Sequence, residues 1–422
     1  MKFDAVTAAK RITQTFLGVR DIINERVDAA VPSWSEQRGY CHFLLSLGEA
    51  DLTRCEAVGL AEVVDFLPGA PSNLKDLALE VKEQTNLPLL TFHAPHLGGK
   101  GEQERADGVP KLRGVSARKN PQIEALLTAI YPLAERADRI VDVGAGSGHF
   151  TLWAAEMFGM PALGLERRLE RVQVAKSWAV ERAEKTAARG GSVRFIQVDA
   201  GPEPLRLMSG DLAVGLHACG SLGDYLVENA AETGCAVALV SCCLQKVESA
   251  ARKPLSAACE GLSLRKEVLG LTNLTSQPVG VEADIRQMMR GREVRHALLL
   301  LLRSRGLTLV PGEELKGINR RRAHKGLAEV AGAACTLRNL TPPSDAEIAH
   351  FEAIGKVEFG KIRRLSLPRN MLARLVETAV VLDRAARLAE EGRRVDVGIL
   401  FDRSVSPRNM GVLADGKAGK QA

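Results

Sequence analysis

Residues 141–150 read VDVGAGSGHF, an apolar run that ends with three glycines packed into five positions. Asp142 stands two residues before the first of them. Two more acids end apolar runs farther on, Glu166 in ALGLE and Asp199 in FIQVDA. Beyond these lie His217 and Cys219 in LHACG, then Ser241, Cys242, Cys243 and Lys246 in VSCCLQK. Each type carries its own chemistry. Glycine lets a backbone approach a ligand closely, carboxylates accept hydrogen bonds and attract cations, histidine moves protons near neutrality, and a thiolate is a nucleophile.

The glycines are spaced Gly144-x-Gly146-x-Gly148, with Ala145 between the first two. A dinucleotide fingerprint would need glycine at position 149, which is His149, and no G-K-S/T follows to cradle a triphosphate. Asp142 would repel a pyrophosphate but attract an ammonium group. A cationic, phosphate-free nucleoside fits these residues, and S-adenosylmethionine (SAM) is one. On this reading Asp142 and the glycines face its amino acid part. Glu166, about 20 residues past the loop, accepts from both ribose hydroxyls. Asp199 accepts from the adenine amino group. Arg167, Ala200 and His217, adjoining these acids or the next strand end, complete the expected cofactor set. The plainer alternative is a tight strand-to-helix turn with surface acids.

Placing three acids side by side takes successive strands. From about residue 116 the chain alternates helical and strand patterns: PQIEALLTAIYPLAERA, DRIVDVG, HFTLWAAEMFG, MPALGLE, then one long helix RRLERVQVAKSWAVERAEKTAARG with Leu169, Val172, Ala175, Ala179 and Ala183 on one face. SVRFIQVDA, DLAVGLHACG, SLGDYLVENAAETG and CAVALVSCCLQ continue the pattern. Strands joined by helical crossovers predict an α/β, doubly wound, mostly parallel sheet, with ligands at the carboxyl ends of its strands. RRVDVGILFD and RNMGVLAD predict a closing hairpin at the sheet edge, for seven strands in all. The expected segments are a helical domain over 1–97, in which LPLLTF is the first strand-like run, a linker or mobile loop over 98–115, the cofactor-binding core over 116–260, a helical, basic insertion over 261–390, the last two strands over 391–415, and a disordered tail over 416–422.

At 422 residues the chain exceeds one ordinary core. Its 45% hydrophobic and 26% charged content suits a globular protein, while 4% aromatic content disfavours a base-stacking platform. A net charge of +6 permits an anionic partner without demanding one. The N-terminus lacks a signal-peptide core, HALLLLLRSRG is too short to span a bilayer, and the eight cysteines include no C-x-x-C pair. The expectation is a cytoplasmic protein with free thiols, no membrane partner and no metal.

VDVGAGSGHFTLWAAEMFGMPALGLERRLERVQVA resembles the first motifs of class I SAM-dependent methyltransferases. LHACGSLGDYLV and VSCCLQK resemble the H-A-C-G and C-C-x-x-K segments of the methyltransferase-like 25 family, whose eukaryotic members are called "ribosomal RNA adenine dimethylase domain-containing". A tRNA 2′-O-methyltransferase is similar over the same stretch. SARKNPQIEAL is similar to the family's lead-in, and VVLDRAARLAEEGRRVDVGILFDRSVSPRNMGVLA to its C-terminal end. The resemblance covers about 115–260 and 370–415. It implies a methyltransferase with SAM as cofactor. Exocyclic adenine methyltransferases are similar to one another in a D/N-P-P-Y/F segment at the fourth strand, and this chain has H-A-C-G there instead.

Methyl transfer needs a base only where the acceptor must lose a proton, and His217 is the candidate. RNA cytosine-C5 methyltransferases are similar in carrying two thiols near the acceptor. That likeness makes Cys219 and Cys242 candidate nucleophiles, with Lys246 or His217 as activator. The alternative is that the thiols merely pack the strand tops, and no proline precedes either cysteine. The expected acceptor is RNA, tRNA or rRNA, held through the basic segments around Arg118 (with Lys111, Arg113 and Lys119) and across 320–325, where Arg320, Arg321, Arg322, His324 and Lys325 cluster. Arg363, Arg364, Arg369 and Arg408 are further phosphate candidates. A protein or small-molecule acceptor, or a catalytically silent binding module, remain alternatives, and the oligomeric state is open.

Overall fold

The computed structural model describes residues 3–28, 30–91, 119–199, 201, 205–276 and 282–417. The linker at 98–115, the lead-in residues up to Arg118, Ala200 and the tail from 418 lie outside them. Contacts divide the chain into two units, 1–19 with 83–277 and 373–422, and 20–82 with 278–372.

The first unit is built on a seven-stranded sheet of order β3-β2-β1-β4-β5-β9-β8. Its strands are β1 (Arg139–Val143), β2 (Pro161–Glu166), β3 (Ser192–Gln197), β4 (Asp211–Cys219), β5 (Ala236–Cys242), β8 (Val395–Ile399) and β9 (Met410–Ala414). A separate two-residue ribbon pairs β6 (Ala251–Arg252) with β7 (Leu264–Arg265). β1 to β5 run parallel, and β9 and β8 follow antiparallel. The expected hairpin is thus present, with its later strand innermost, against β5. In LPLLTF, Leu89 makes a single parallel bridge to Ile399 rather than a full strand.

Alternation sorts the strand residues onto two faces. Ile140, Leu212, Val214, Ala238 and Val240 join Ile123, Leu126, Leu127 and Ile130 of the helix Asn120–Ala134 in one buried cluster, which Phe150 and Trp153 of the helix His149–Phe158 extend. The helices Ser221–Thr233 and Ala373–Ala389 pack against each other and the sheet, the first on β4 and β5 and the second on β8 and β9. The long helix expected after β2 breaks into Leu169–Glu181 and Ala183–Ala188. Of its proposed apolar face only Val172 and Ala175 are buried; they meet Phe195 and Leu152, whereas Leu169 and Ala183 are exposed.

Two segments group differently in space from their order in sequence. The helix Ala373–Ala389, expected in a basic insertion, belongs to the sheet unit, and fourteen of its residues are buried, Glu377, Asp383 and Arg384 among them. Of the expected tail, Lys417 is held in place: its N–H donates to the Gly234 carbonyl at 2.7 Å and its ammonium pairs with Glu391 at 2.8 Å.

The second unit is helical. Leu298, Leu301 and Leu302 of the helix Glu282–Ser304 share a core with Leu327, Val330, Ala331 and Ala334 of the helix Leu327–Leu337. The helix Asp345–Leu365 opens with a reciprocal cap between Ser344 and Glu347. It crosses Glu282–Ser304 so closely that a Cβ on Gly355 would stand 2.7 Å from the Ala297 Cβ. Among the described residues no helix is long and apolar enough to cross a membrane.

Candidate active site at the carboxyl ends of the strands

The glycine loop joins β1 to the helix His149–Phe158, and all three glycines adopt positive φ: +85° at Gly144, +59° at Gly146 and +79° at Gly148. At Gly148 the demand is also steric, because a Cβ there would stand 2.5 Å from Phe195 Cζ and 2.9 Å from Ala175 Cβ. The loop spends its amides on β2. Gly144 and Ala145 both donate to the Leu165 carbonyl, at 2.9 and 3.0 Å, and Gly146 donates to Glu166 Oε2 at 2.9 Å. A phosphate cradle needs such amides for its ligand, so the geometry disfavours a pyrophosphate as the sequence reading does.

Asp142 is 2% exposed and accepts the Thr151 hydroxyl at 2.6 Å. Burial pushes its carboxyl up to about 7; the Thr151 bond opposes the shift and the Glu166 charge on the neighbouring strand adds to it. Glu166 is half-buried, and its second oxygen accepts the Arg168 N–H at 3.0 Å. Two anchored carboxylates that repel each other form a setting a cation relieves, and SAM carries both an ammonium and a sulfonium. The residues therefore fit this cofactor. Asp199 is exposed two residues past β3, so the three acids sit at the tips of three neighbouring strands in order. Arg167 is exposed, and its carbonyl accepts from Gln197 at 3.1 Å. His149 is half-buried, with Nε2 lacking a hydrogen-bond partner and burial pushing its pKa down.

The other half of the site lies at β4 and β5. Their register shifts between Leu216 and Ala218, and the bulged residue, His217, has φ +67°. A left-handed histidine held in a bulge is a strained conformation. Its Nε2 lies 2.5 Å from Oε1 of the buried Gln122, and the Gln122 Nε2 donates to the Val405 carbonyl at 3.4 Å. With the amide oriented by that second bond, Gln122 Oε1 is placed to accept from His217 Nε2–H, the tautomer that leaves the lone pair on Nδ1.

Cys219 and Cys242 are register partners with sulfurs 2.8 Å apart, and both sulfurs lie within hydrogen-bonding reach of the His217 carbonyl, at 3.4 and 3.1 Å. The hydrogen bond from Cys242 is the largest influence on Cys219 and, with help from the Lys246 charge, holds its thiol down at about 6 against the effect of burial. Cys242 moves the opposite way, so the pair gives up one proton readily and keeps the other. The Lys246 side chain is exposed, and its carbonyl accepts the Ser221 N–H at 3.1 Å. A Cβ at Gly220 would strike that carbonyl, which fixes glycine after Cys219.

A buried ionic cluster braces these strand ends. Arg384, fully buried, donates to Ser241 Oγ at 2.6 Å, to the Gly220 carbonyl at 2.8 Å and to Asp224 at 2.9 Å. Arg252 joins Asp224 to Asp383, at 2.9 and 2.7 Å. The sequence reading named none of Gln122, Thr151, Asp224 or Arg384 for the site. Thr151 follows the acid-glycine motif by a short step that a search for hydroxyl partners would catch; Gln122 and Arg384 carry no local signal.

The basic candidates part ways. In the second unit Arg320, Arg321, His324 and Lys325 are exposed on a short 3-10 turn, and Arg322 pairs with Glu329 at 2.9 Å. Arg363 and Arg364 are instead committed to Glu49 and Glu56, Arg369 donates to the Ile23 carbonyl, and Arg408 is buried against Glu377 and Thr275. These last four are structural arginines.

Residues 118–250 match a family model described as "Methyltransferase domain". A Xenopus laevis glutathione S-transferase C-terminal domain-containing protein is 24% identical over 201 residues, 45% of this chain and 28% of that protein. The chain thus spans little more than a quarter of that curated relative. A SAM-dependent methyltransferase from Methanosarcina mazei is 22% identical over 26% of this chain and 55% of its own, with a TM-score of 0.23. An O-methyltransferase from a Brevibacillus brevis trans-AT PKS multienzyme, solved with S-adenosyl-L-homocysteine, is 15% identical over 31% and 50%, with a TM-score of 0.20.

Proposed function

From the match of residues 118–250 to a model described as "Methyltransferase domain", we propose that the whole chain is a SAM-dependent methyltransferase of the methyltransferase-like 25 type, acting on RNA, tRNA or rRNA, in the cytoplasm. The observation that supports the cofactor reading is the anchored pair Asp142 and Glu166: burial, with the Glu166 charge adding to it, raises the Asp142 pKa, and a bound cation would relieve both.

The cofactor supplies a methyl group on a cationic sulfur, and the chain does the rest. Asp142, oriented by Thr151, faces the ammonium. Glu166, held by two backbone N–H groups, accepts from the ribose, and Asp199 accepts from adenine. The ends of β4 and β5 hold the acceptor. For a hydroxyl acceptor, His217 Nδ1 takes the proton while Gln122 keeps Nε2 protonated. Positioning the nucleophile within about 3–3.5 Å of the methyl supplies most of the acceleration.

The exposed Arg320, Arg321 and Lys325, with the basic lead-in around Arg118, support an RNA acceptor read through its backbone. Incubation of the protein with labelled SAM and cell extract, followed by separate ribonuclease and protease digestion, tests this. Label released by ribonuclease is the expected result. Label released only by protease, or label in small molecules, would replace the acceptor, and no incorporation into any fraction would leave a silent module.

A further inference from the structure

Among the described residues one group of three potential metal ligands gathers outside the acid cradle. The sulfurs of Cys219, Cys242 and Cys243 all lie within 4.8 Å of one another. Cys242 is buried, and Cys219 and Cys243 are half-buried, so the cluster has a closed side and an open one. They come from the tips of two adjacent parallel strands, Cys219 and Cys242 in register and Cys243 next along the chain.

Three features show that this convergence is built. The residues that shape it, His217 and Cys243, take φ of +67° and +37°, a region that side chains other than glycine adopt at a cost. The His217 carbonyl gathers the Cys219 and Cys242 sulfurs from one side. From beneath, Arg384 binds Gly220, the neighbour of Cys219, and Ser241, the neighbour of Cys242, tying both strand ends to one rigid guanidinium. Cys219 and Cys242, with sulfurs 2.8 Å apart, would have to open by about 1 Å to bind a tetrahedral ion. A tetrahedral ion with bonds of about 2.3 Å to sulfur sets its ligands roughly 3.8 Å apart, inside the 4.8 Å limit of the trio. A disulfide would use two sulfurs and leave the third, strained cysteine without a purpose.

We propose that Cys219, Cys242 and Cys243 together bind one thiophilic divalent cation of the zinc class at the acceptor end of β4 and β5. Three protein sulfurs fill three positions and the open side leaves the fourth to water or an acceptor group, the pattern of a reactive rather than a purely structural site. Thiolate ligands select such an ion over magnesium or calcium, and binding displaces the thiol protons into solution. Cys219 and Cys242 are then ligands, not nucleophiles. The site stands on its own geometry and goes beyond the methyl-transfer reading.

The test uses the reduced full-length chain, stripped with a chelator and titrated with Co²⁺ or Zn²⁺. One equivalent of Co²⁺ with an intense thiolate-to-cobalt charge-transfer band is expected. Zn²⁺ should slow alkylation of Cys219 and Cys243, read residue by residue by mass spectrometry, on the order of 10-fold or more, and leave the half-buried Cys41 unchanged. Cys243→Ser should weaken metal binding by at least about 10–100-fold. If that variant misfolds, the alkylation pattern of the wild-type chain decides. No cobalt band, unchanged alkylation in Zn²⁺, or a Cys219–Cys242 disulfide in metal-free isolated protein would overturn the proposal. SAM binding, followed by calorimetry on the stripped chain, reports on the cofactor reading independently.

Discussion

Asp142→Asn should move affinity and stability in opposite directions. The Asp142 carboxyl binds its proton more tightly folded than unfolded, because burial raises its pKa from 3.8 to about 7. The stability tied to this proton is therefore fully present below about 3.8, is lost as pH rises through 7, and is a net penalty above that. A shift of about 3 units caps the penalty at roughly 4 kcal/mol. Asparagine cannot ionise and still accepts the Thr151 hydroxyl through Oδ1, so the variant should melt several degrees higher at pH 8. The same substitution removes the charge that faces the ammonium, costing about 1.5–3 kcal/mol, or roughly 10–150-fold in SAM affinity. In the wild type, SAM must meet the ionised acid, so affinity should fall about 25-fold between pH 7.5 and 5.5 while the variant stays nearly flat. Calorimetric titration of SAM across that range, paired with thermal melts of the apo proteins, measures both. Equal pH slopes in the two proteins, or a variant that melts lower at pH 8, would refute the cation role of Asp142.

His217→Ala should lower kcat by about 100-fold or more on a hydroxyl acceptor and leave the SAM dissociation constant nearly unchanged; Gln122→Leu should lower kcat less and shift the pH–rate profile, since it frees the imidazole tautomer. Gly148→Ala adds a Cβ against Phe195 and Ala175 at φ +79° and should cost about 2–4 kcal/mol in urea unfolding. Arg384→Met leaves Asp224 short of a buried partner and should cost about 3–5 kcal/mol, with partial recovery on adding Asp224→Asn.

The sheet and the acid cradle were legible because both are written locally. Strand runs such as DRIVDVG and CAVALVSCC announce their burial by composition, and the loop announces itself by glycine spacing. What escaped depends on partners distant in sequence. Gln122 lies 95 residues from His217 and Arg384 lies 160 from Asp224, so no window of residues joins them. The helix Ala373–Ala389 misled through its charges, which pair inside the protein rather than face water. The bulge at His217 has no mark in composition, because one extra residue in a strand looks like ordinary alternation. The cysteines at the ends of β4 and β5 were legible as nucleophiles or packing residues but not as a trio, because Cys219 joins Cys242 and Cys243 from an adjacent strand and not through a C-x-x-C turn.

β9 reaches β5 only after residues 278–372 have been made. A ribosome therefore releases the first five strands well before their last neighbours. Until then the nascent chain carries an unpaired β5 edge, an apolar surface awaiting Leu375, Val376 and Leu382, and an Asp224 whose counter-ion Arg384 is still untranslated. Truncation anywhere before residue 373 should thus yield insoluble product rather than a smaller working domain, and synthesis of the full chain places its greatest demand on chaperones between the emergence of β5 and that of β9.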